Sequence, residues 1–125
     1  MVERSKHRGL SPEDRKLFSH DYLEKLRKAV ADYSYLLSQG YAEKPALKVV
    51  GDHYQLHQRQ RMAVTRAACA ADALIHRREK CVCIPSLQDE VLEIDGFNVL
   101  ITLETYLSGG IVVRCLDGCF RDLSS

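Results

Sequence analysis

No apolar run in this chain approaches the roughly 20 residues that a membrane-spanning helix needs, so no contact with a membrane is expected. The opening residues, Met1-Val2-Glu3-Arg4-Ser5-Lys6-His7-Arg8, are charged and no apolar core follows them, so they do not read as a secretory signal. The cytoplasm is the expected compartment. The chain has no internal repeat of useful length, no low-complexity tract and no glycine-rich phosphate loop. No Ser or Cys stands beside a base in a local signature of nucleophilic catalysis.

What is present is ordinary for a folded chain. Hydrophobic residues make up 46% and charged residues 28% of 125 residues, which suits one domain, or one domain and a fragment. The charge is unevenly spread. Residues 1–84 hold 16 Lys and Arg against 10 Asp and Glu, whereas residues 85–125 hold 2 against 7. A basic half joined to an acidic half means either two functional surfaces or two halves that attract each other.

The basic half reads as about three helices. Residues 1–10 form a basic lead. Ser11-Pro12-Glu13-Asp14 then starts a helix, with a Ser cap, Pro at the first helical position and acids against the positive end of the dipole. Ser19 offers a second cap, so a kink is expected near residues 19–21. From Tyr22 the apolar spacing is strong: Tyr22, Leu23, Leu26, Ala29, Val30, Tyr33, Leu36 and Leu37 share one face, and Gly40 is the stop. Tyr35 points the other way, among charged residues. Pro45 to Gly51 predicts a second, shorter helix. A third is expected from His57 to about Arg78, with small residues Ala63, Ala67, Ala68 and Ala71 on its packing face.

That third helix would carry a basic ridge. Arg59, Arg66 and Arg77 return to nearly the same angle on a helix of 3.6 residues per turn, and Arg61 lies nearby. Such a ridge suits nucleic-acid phosphates. It equally suits ion pairs to the acidic half.

Residues 79–90 read as a connector, with a short strand at 81–84, and the domain boundary falls there: 1–84 helical, 85–125 a partial α/β segment. Val91 to Ile94 is the expected strand, Asn98 to Leu107 a helix, and Ile111 to Cys115 a second strand parallel to the first. Phe120 to Leu123 reads as the start of another helix. The fold class is therefore α+β, mostly α, with a helical region followed by a β-α-β unit. Each expected strand runs into Asp-Gly, at Asp95-Gly96 and Asp117-Gly118. Neighbouring parallel strands would bring both carboxylates to one sheet edge, where α/β folds keep their ligand sites. There they would suit a magnesium or manganese ion, with Asp122 and Glu104 as further oxygen ligands. Asp-Gly is also a common way to turn out of a strand.

Softer ligand sets are less well spaced. Cys81-x-Cys83 and Cys115-x3-Cys119 make a conceivable four-thiolate zinc site, but the first pair is too tight for the usual knuckle. Five cysteines in a chain without an export signal are expected as reduced thiols. His53 and His57 are four apart but straddle a predicted loop-to-helix junction.

Several stretches carry a resemblance. Gly9-Leu10-Ser11-Pro12-Glu13-Asp14, Gly40-Tyr41, Val50-Gly51-Asp52-His53-Tyr54-Gln55-Leu56 and Arg59-Gln60-Arg61 resemble a prokaryotic family of unknown function, domain of unknown function four-three-four. Asp95-Gly96-Phe97-Asn98 and Asp117-Gly118-Cys119-Phe120-Arg121-Asp122 resemble the continuation in its longer members. The Asp-Gly-Phe-Asn opening is also similar to the first strand of PIN-like and NYN-like nuclease domains. That resemblance implies a metal-binding acid at Asp95 and a metal-dependent RNA nuclease, or its incomplete remnant, with Asp117 assisting and RNA as partner. Such domains are far longer than the 35 residues that follow residue 90. The resemblance therefore also implies a homo-oligomer or a second polypeptide that completes the sheet. The alternative is a non-catalytic helical module that binds RNA or protein.

Overall fold

The computed structural model describes residues 9–124. Most of the basic lead expected over residues 1–10 lies outside that range. Six α-helices come first and a two-stranded sheet last: α1 (Pro12–Leu17), α2 (His20–Ser38), α3 (Glu43–His53), α4 (Gln58–Ala67), α5 (Ala71–Lys80), a 3₁₀ turn (Ile84–Leu87), α6 (Gly96–Leu107), β1 (Val112–Arg114) and β2 (Phe120–Asp122). The chain is α+β with α dominant.

The first two helices form where the caps place them. Ser11 Oγ accepts from the Asp14 N–H at 3.1 Å, and Pro12 sits at the first helical position. The break at Phe18-Ser19 separates α1 from α2, as the second cap implies, although the Ser19 side chain makes no capping bond. α2 ends at Gly40, whose φ of +90° is one that side-chain-bearing residues rarely adopt. The core lies between α2, α3 and α4: Leu26, Ala29 and Tyr33 pack on Ala46, Val50, Leu56 and Val64. Gly51 is inside α3 for a steric reason. A Cβ there would lie 2.6 Å from the Arg61 guanidinium carbon.

Five expectations need correction. The long third helix is two helices. Ala68 is extended (φ −78°, ψ 156°), and this breaks an alanine-rich stretch of good helix propensity. Tertiary hydrogen bonds cause the break. The Cys69 N–H donates to Ser34 Oγ at 3.2 Å, the Ala71 N–H to Ser38 Oγ at 2.9 Å, and the Leu116 N–H to the Ala67 carbonyl at 2.9 Å. Three partners outside the helix thus satisfy groups that a continuous helix would have used itself.

The strands differ as well. No strand forms at 81–84, where the chain leads into the 3₁₀ turn, and none at Val91 to Ile94, which is exposed and irregular. Among the described residues no neighbouring strand lies beside it to take its backbone groups, and a lone strand is not stable in water. The β-α-β unit is therefore not formed. β1 falls at its expected place but pairs with β2 in antiparallel register, Val112 opposite Asp122 and Arg114 opposite Phe120. The five intervening residues make a hairpin loop, since a parallel return needs about a dozen residues or more. Gly118, at φ +84°, turns the chain, and the Asp117 carboxylate accepts from the Cys119 N–H at 3.0 Å. The stretch expected to begin a helix at Phe120 is β2 for that reason.

Replacing Ser34, which is buried, by Ala leaves the Cys69 N–H without its acceptor. We expect Ser34→Ala to lower unfolding stability by about 1–3 kcal/mol, read from urea denaturation followed by circular dichroism. An unchanged midpoint would mean that the hydroxyl does not hold the break.

Candidate functional site

The residues singled out in the sequence do not meet in one pocket. Arg59, Arg66, Arg77, Asp117 and Asp122 lie along a seam between the helical half and the hairpin, whereas Arg61 and Asp95 lie apart from it. On the helical side stands α4, whose arginines face the C-terminal residues. Arg59 makes a two-pronged pair with Asp14 of α1, at 3.1 and 2.9 Å, and donates a third bond to the Leu123 carbonyl at 2.9 Å. The Asp14 hydrogen bonds raise the Arg59 pKa further above its already high value. Arg66 donates to the carbonyls of Asp122, at 2.7 Å, and Ser124, at 2.8 Å. Its guanidinium also lies 3.8 Å from the Asp122 carboxylate. Arg61 serves a different joint. It holds the Leu56 carbonyl at 2.9 Å and Asp52 at 3.0 Å, beside Gly51. Arg77 stands on α5, displaced from the other three by the helix break, and reaches Asp117 at 3.0 Å.

The carboxylates show the other half of the same arrangement. Asp117 is in the hairpin loop with its side chain 1% exposed, and it accepts from both Arg77 and Arg121. Burial pushes its pKa up, but the Cys119 N–H and the two guanidiniums outweigh that and hold it below the ordinary carboxylate value. Asp122 closes β2. It accepts from Thr102 Oγ1 at 2.7 Å and from the Ser124 N–H at 2.8 Å, and these bonds outweigh burial to lower its pKa. Asp95 is elsewhere. It occupies the N-cap position of α6, exposed, and accepts from Asn98 Nδ2 at 2.6 Å. Glu104 is exposed further along the same helix.

Asp95 and Asp117 therefore do not share a sheet edge, because the strand expected before Asp95 is not there. Among the described residues no group of three or more His, Cys, Asp and Glu is placed to hold a metal ion. All five cysteines are free thiols, and Cys81, Cys83 and Cys119 are exposed. The thiol of Cys115 is pushed up chiefly by burial. His57 is at the N-cap position of α4, its N–H bonded to Gln60 Oε1 at 2.9 Å, while His53 packs edge-on against Tyr54. Each carboxylate in the seam has a cation or hydroxyl beside it, so the arrangement clamps the two halves together.

Sequence reasoning missed several participants. Asp14 looks like a first-turn acid, yet it is buried and faces Arg59. Gln60 is fully buried, with Nε2 on the Leu17 carbonyl at 2.8 Å. Thr102 carries no local signal, yet its hydroxyl reaches the Asp122 carboxylate. The opposed charge of the two halves was the available signal for the seam.

Asp117 and Asp122 titrate lower in the folded chain than in the unfolded one, where an aspartate titrates near about 3.9. A carboxyl depressed by folding adds stability above its unfolded pKa and loses it as pH falls through its folded pKa. We expect the urea midpoint to fall as pH drops from about 5 toward 2, and Asp117→Asn to flatten that fall and to lower the midpoint at neutral pH. Parallel profiles for the two proteins would show that Asp117 contributes nothing to the acid limb.

Comparison with known proteins adds kinship without an activity. The profile of a family described as "Protein of unknown function (DUF434)" matches residues 25–80, and that of a "Domain of unknown function (DUF5616)" matches residues 84–125. Neither matched family is a PIN-like or NYN-like nuclease family. An uncharacterized protein of Methanocaldococcus jannaschii is 32% identical over 100 residues, which is 80% of this chain and 48% of the relative. The chain thus spans about half the length of the curated relative it matches. No solved structure matches. By sequence, the chain is similar to two families of unknown function in succession, one over its helices and one over its C-terminal part.

Proposed function

We propose that the chain is a non-catalytic helical module that binds protein, and that its contact surface is the outer side of α6. One observation carries this reading. Phe97, Leu100, Leu103 and Leu107 of α6 are 75%, 65%, 49% and 81% exposed. Most of the apolar side chains of α6 thus meet water, whereas the apolar stripe of an ordinary surface helix lies against the core. The segment leading into it, with Val91, Leu92 and Ile94, is exposed too. Contiguous apolar surface of this kind marks an interaction site.

The partner that fits first is a second copy of this chain. α6 carries a single charged residue, Glu104. Two copies related by a two-fold axis would cover both faces at once with little like-charge contact. RNA is less well served. The arginines that would take its phosphates, Arg59, Arg61, Arg66 and Arg77, each donate to an oxygen of the protein itself.

Sedimentation equilibrium tests this. We expect the chain to dimerise and the Leu100→Glu/Leu103→Glu variant to be monomeric at the same concentration with an unchanged circular dichroism spectrum. A monomeric parent chain, or a variant that still dimerises, would overturn the reading.

A metal-dependent RNA nuclease is the second reading, and Asp95 is what favours it. Its carboxylate is exposed and, among the described residues, has no cation beside it, so a magnesium or manganese ion would meet no competitor there. Asp117 and Asp122 would assist only by giving up their present partners. Calorimetry with either ion should show heats that vanish in Asp95→Asn. Equal heats in both proteins, or none in either, would remove this reading.

A further inference from the structure

A cleft between α2, α4 and β1 takes no part in the seam or in the exposed face of α6. Its volume is about 560 Å³, within the roughly 300–1,000 Å³ of small-molecule sites. Leu26 and Val30 of α2, Val64 and Ala67 of α4 and Val113 of β1 give it an apolar wall. Two cations stand in the same wall, Arg27 and Arg114, and no acidic residue does.

Those two arginines differ from five others. Arg59, Arg61, Arg66, Arg77 and Arg121 each hold an oxygen. Among the described residues, the guanidiniums of Arg27 and Arg114 have neither a hydrogen-bond nor an ion-pair partner. An apolar cleft with two uncompensated guanidiniums complements a molecule with a hydrocarbon body and an anionic head. A planar guanidinium matches a carboxylate with two parallel hydrogen bonds, and hydrocarbon in the cleft would add burial energy that an ordinary anion lacks.

We propose that this cleft binds a small amphipathic carboxylate, with its chain along the α2–α4 wall and its head group at Arg27 and Arg114. The proposal does not rest on the protein-binding reading, because none of its residues belongs to α6.

Decanoate, kept below its micelle concentration, is the probe, and 1-decanol is its uncharged counterpart. Titration calorimetry on the parent chain should give saturable one-to-one binding of decanoate and weaker binding of the alcohol. Arg27 and Arg114 are exposed, so Arg27→Gln/Arg114→Gln is expected to fold normally, as circular dichroism will show. It should weaken decanoate by about tenfold or more, the scale of one or two charge-assisted hydrogen bonds, and leave the alcohol unchanged. The Leu100→Glu/Leu103→Glu variant should bind decanoate as the parent does. Absence of saturable decanoate binding would overturn the proposal. So would equal affinity in the parent and the double Arg variant, or binding lost only when α6 is changed.

Discussion

The row of arginines on α4 and α5 is the constraint on which the rest of the structure depends. Arg59, Arg66 and Arg77 each reach across to the C-terminal part of the chain, at Leu123, at Asp122 and Ser124, and at Asp117. Residues 120–122 form only three positions of ladder with β1. A two-stranded hairpin of that size is marginal in water, so its place against the helices is fixed largely by these donors. Charge pairs of this sort are weak evidence for net stability, because each ion loses water on pairing. Their effect is on geometry. A guanidinium with two carbonyls to serve leaves the chain end few alternative positions.

This seam explains why the alanine-rich stretch is broken. One straight helix through residues 58–80 would place Arg77 in line with Arg59 and Arg66. The extended residues around Ala68 instead redirect α5 so that Arg77 meets the hairpin loop at Asp117, while the Ala67 carbonyl is freed for Leu116. Ser34 and Ser38, one turn apart on α2, hold the N–H groups on either side of the break. Local propensity asks for a helix, and three tertiary bonds overrule it.

Much of the fold was legible from local chemistry. The Ser11 cap, the break before α2, the buried stripe Leu26-Ala29-Tyr33 and the Gly40 stop all rest on signals within a few residues. What was not legible depends on distant partners. The serines of α2 that break the alanine stretch are more than 30 residues away from it. The direction of β1 follows from β2, a stretch whose own residues, Phe120 to Leu123, suggest the start of a helix. The basic ridge was legible as a set of residues, and the charge imbalance pointed to the ion pairs as one of its two readings. Its partners Asp14, Asp117 and Asp122 were visible as acids, but the pairing was not. The cleft with Arg27 and Arg114 left no sequence signature, because its wall comes from three separate elements.

α6 shows an inversion that local rules do not produce. Its threonines lie inward: Thr105 is 4% exposed, with its hydroxyl on the Ile101 carbonyl of the same helix, and Thr102 bonds to Asp122 of the hairpin. Its hydrocarbon points outward, at Phe97, Leu100 and Leu107. In an ordinary surface helix the apolar stripe faces the core and polar residues meet water. Here Thr102 bonds to Asp122, and of the apolar side chains of α6 only Ile101 is half-buried. At about 25 cal/mol for each Å² of apolar surface removed from water, the larger part of the burial energy this helix offers is still unrealised. A partner that covered its outer side would gain that energy without disturbing Thr102, Asp122 or the arginines behind them. The seam holds α6 by its polar side, and that is what leaves the apolar side available.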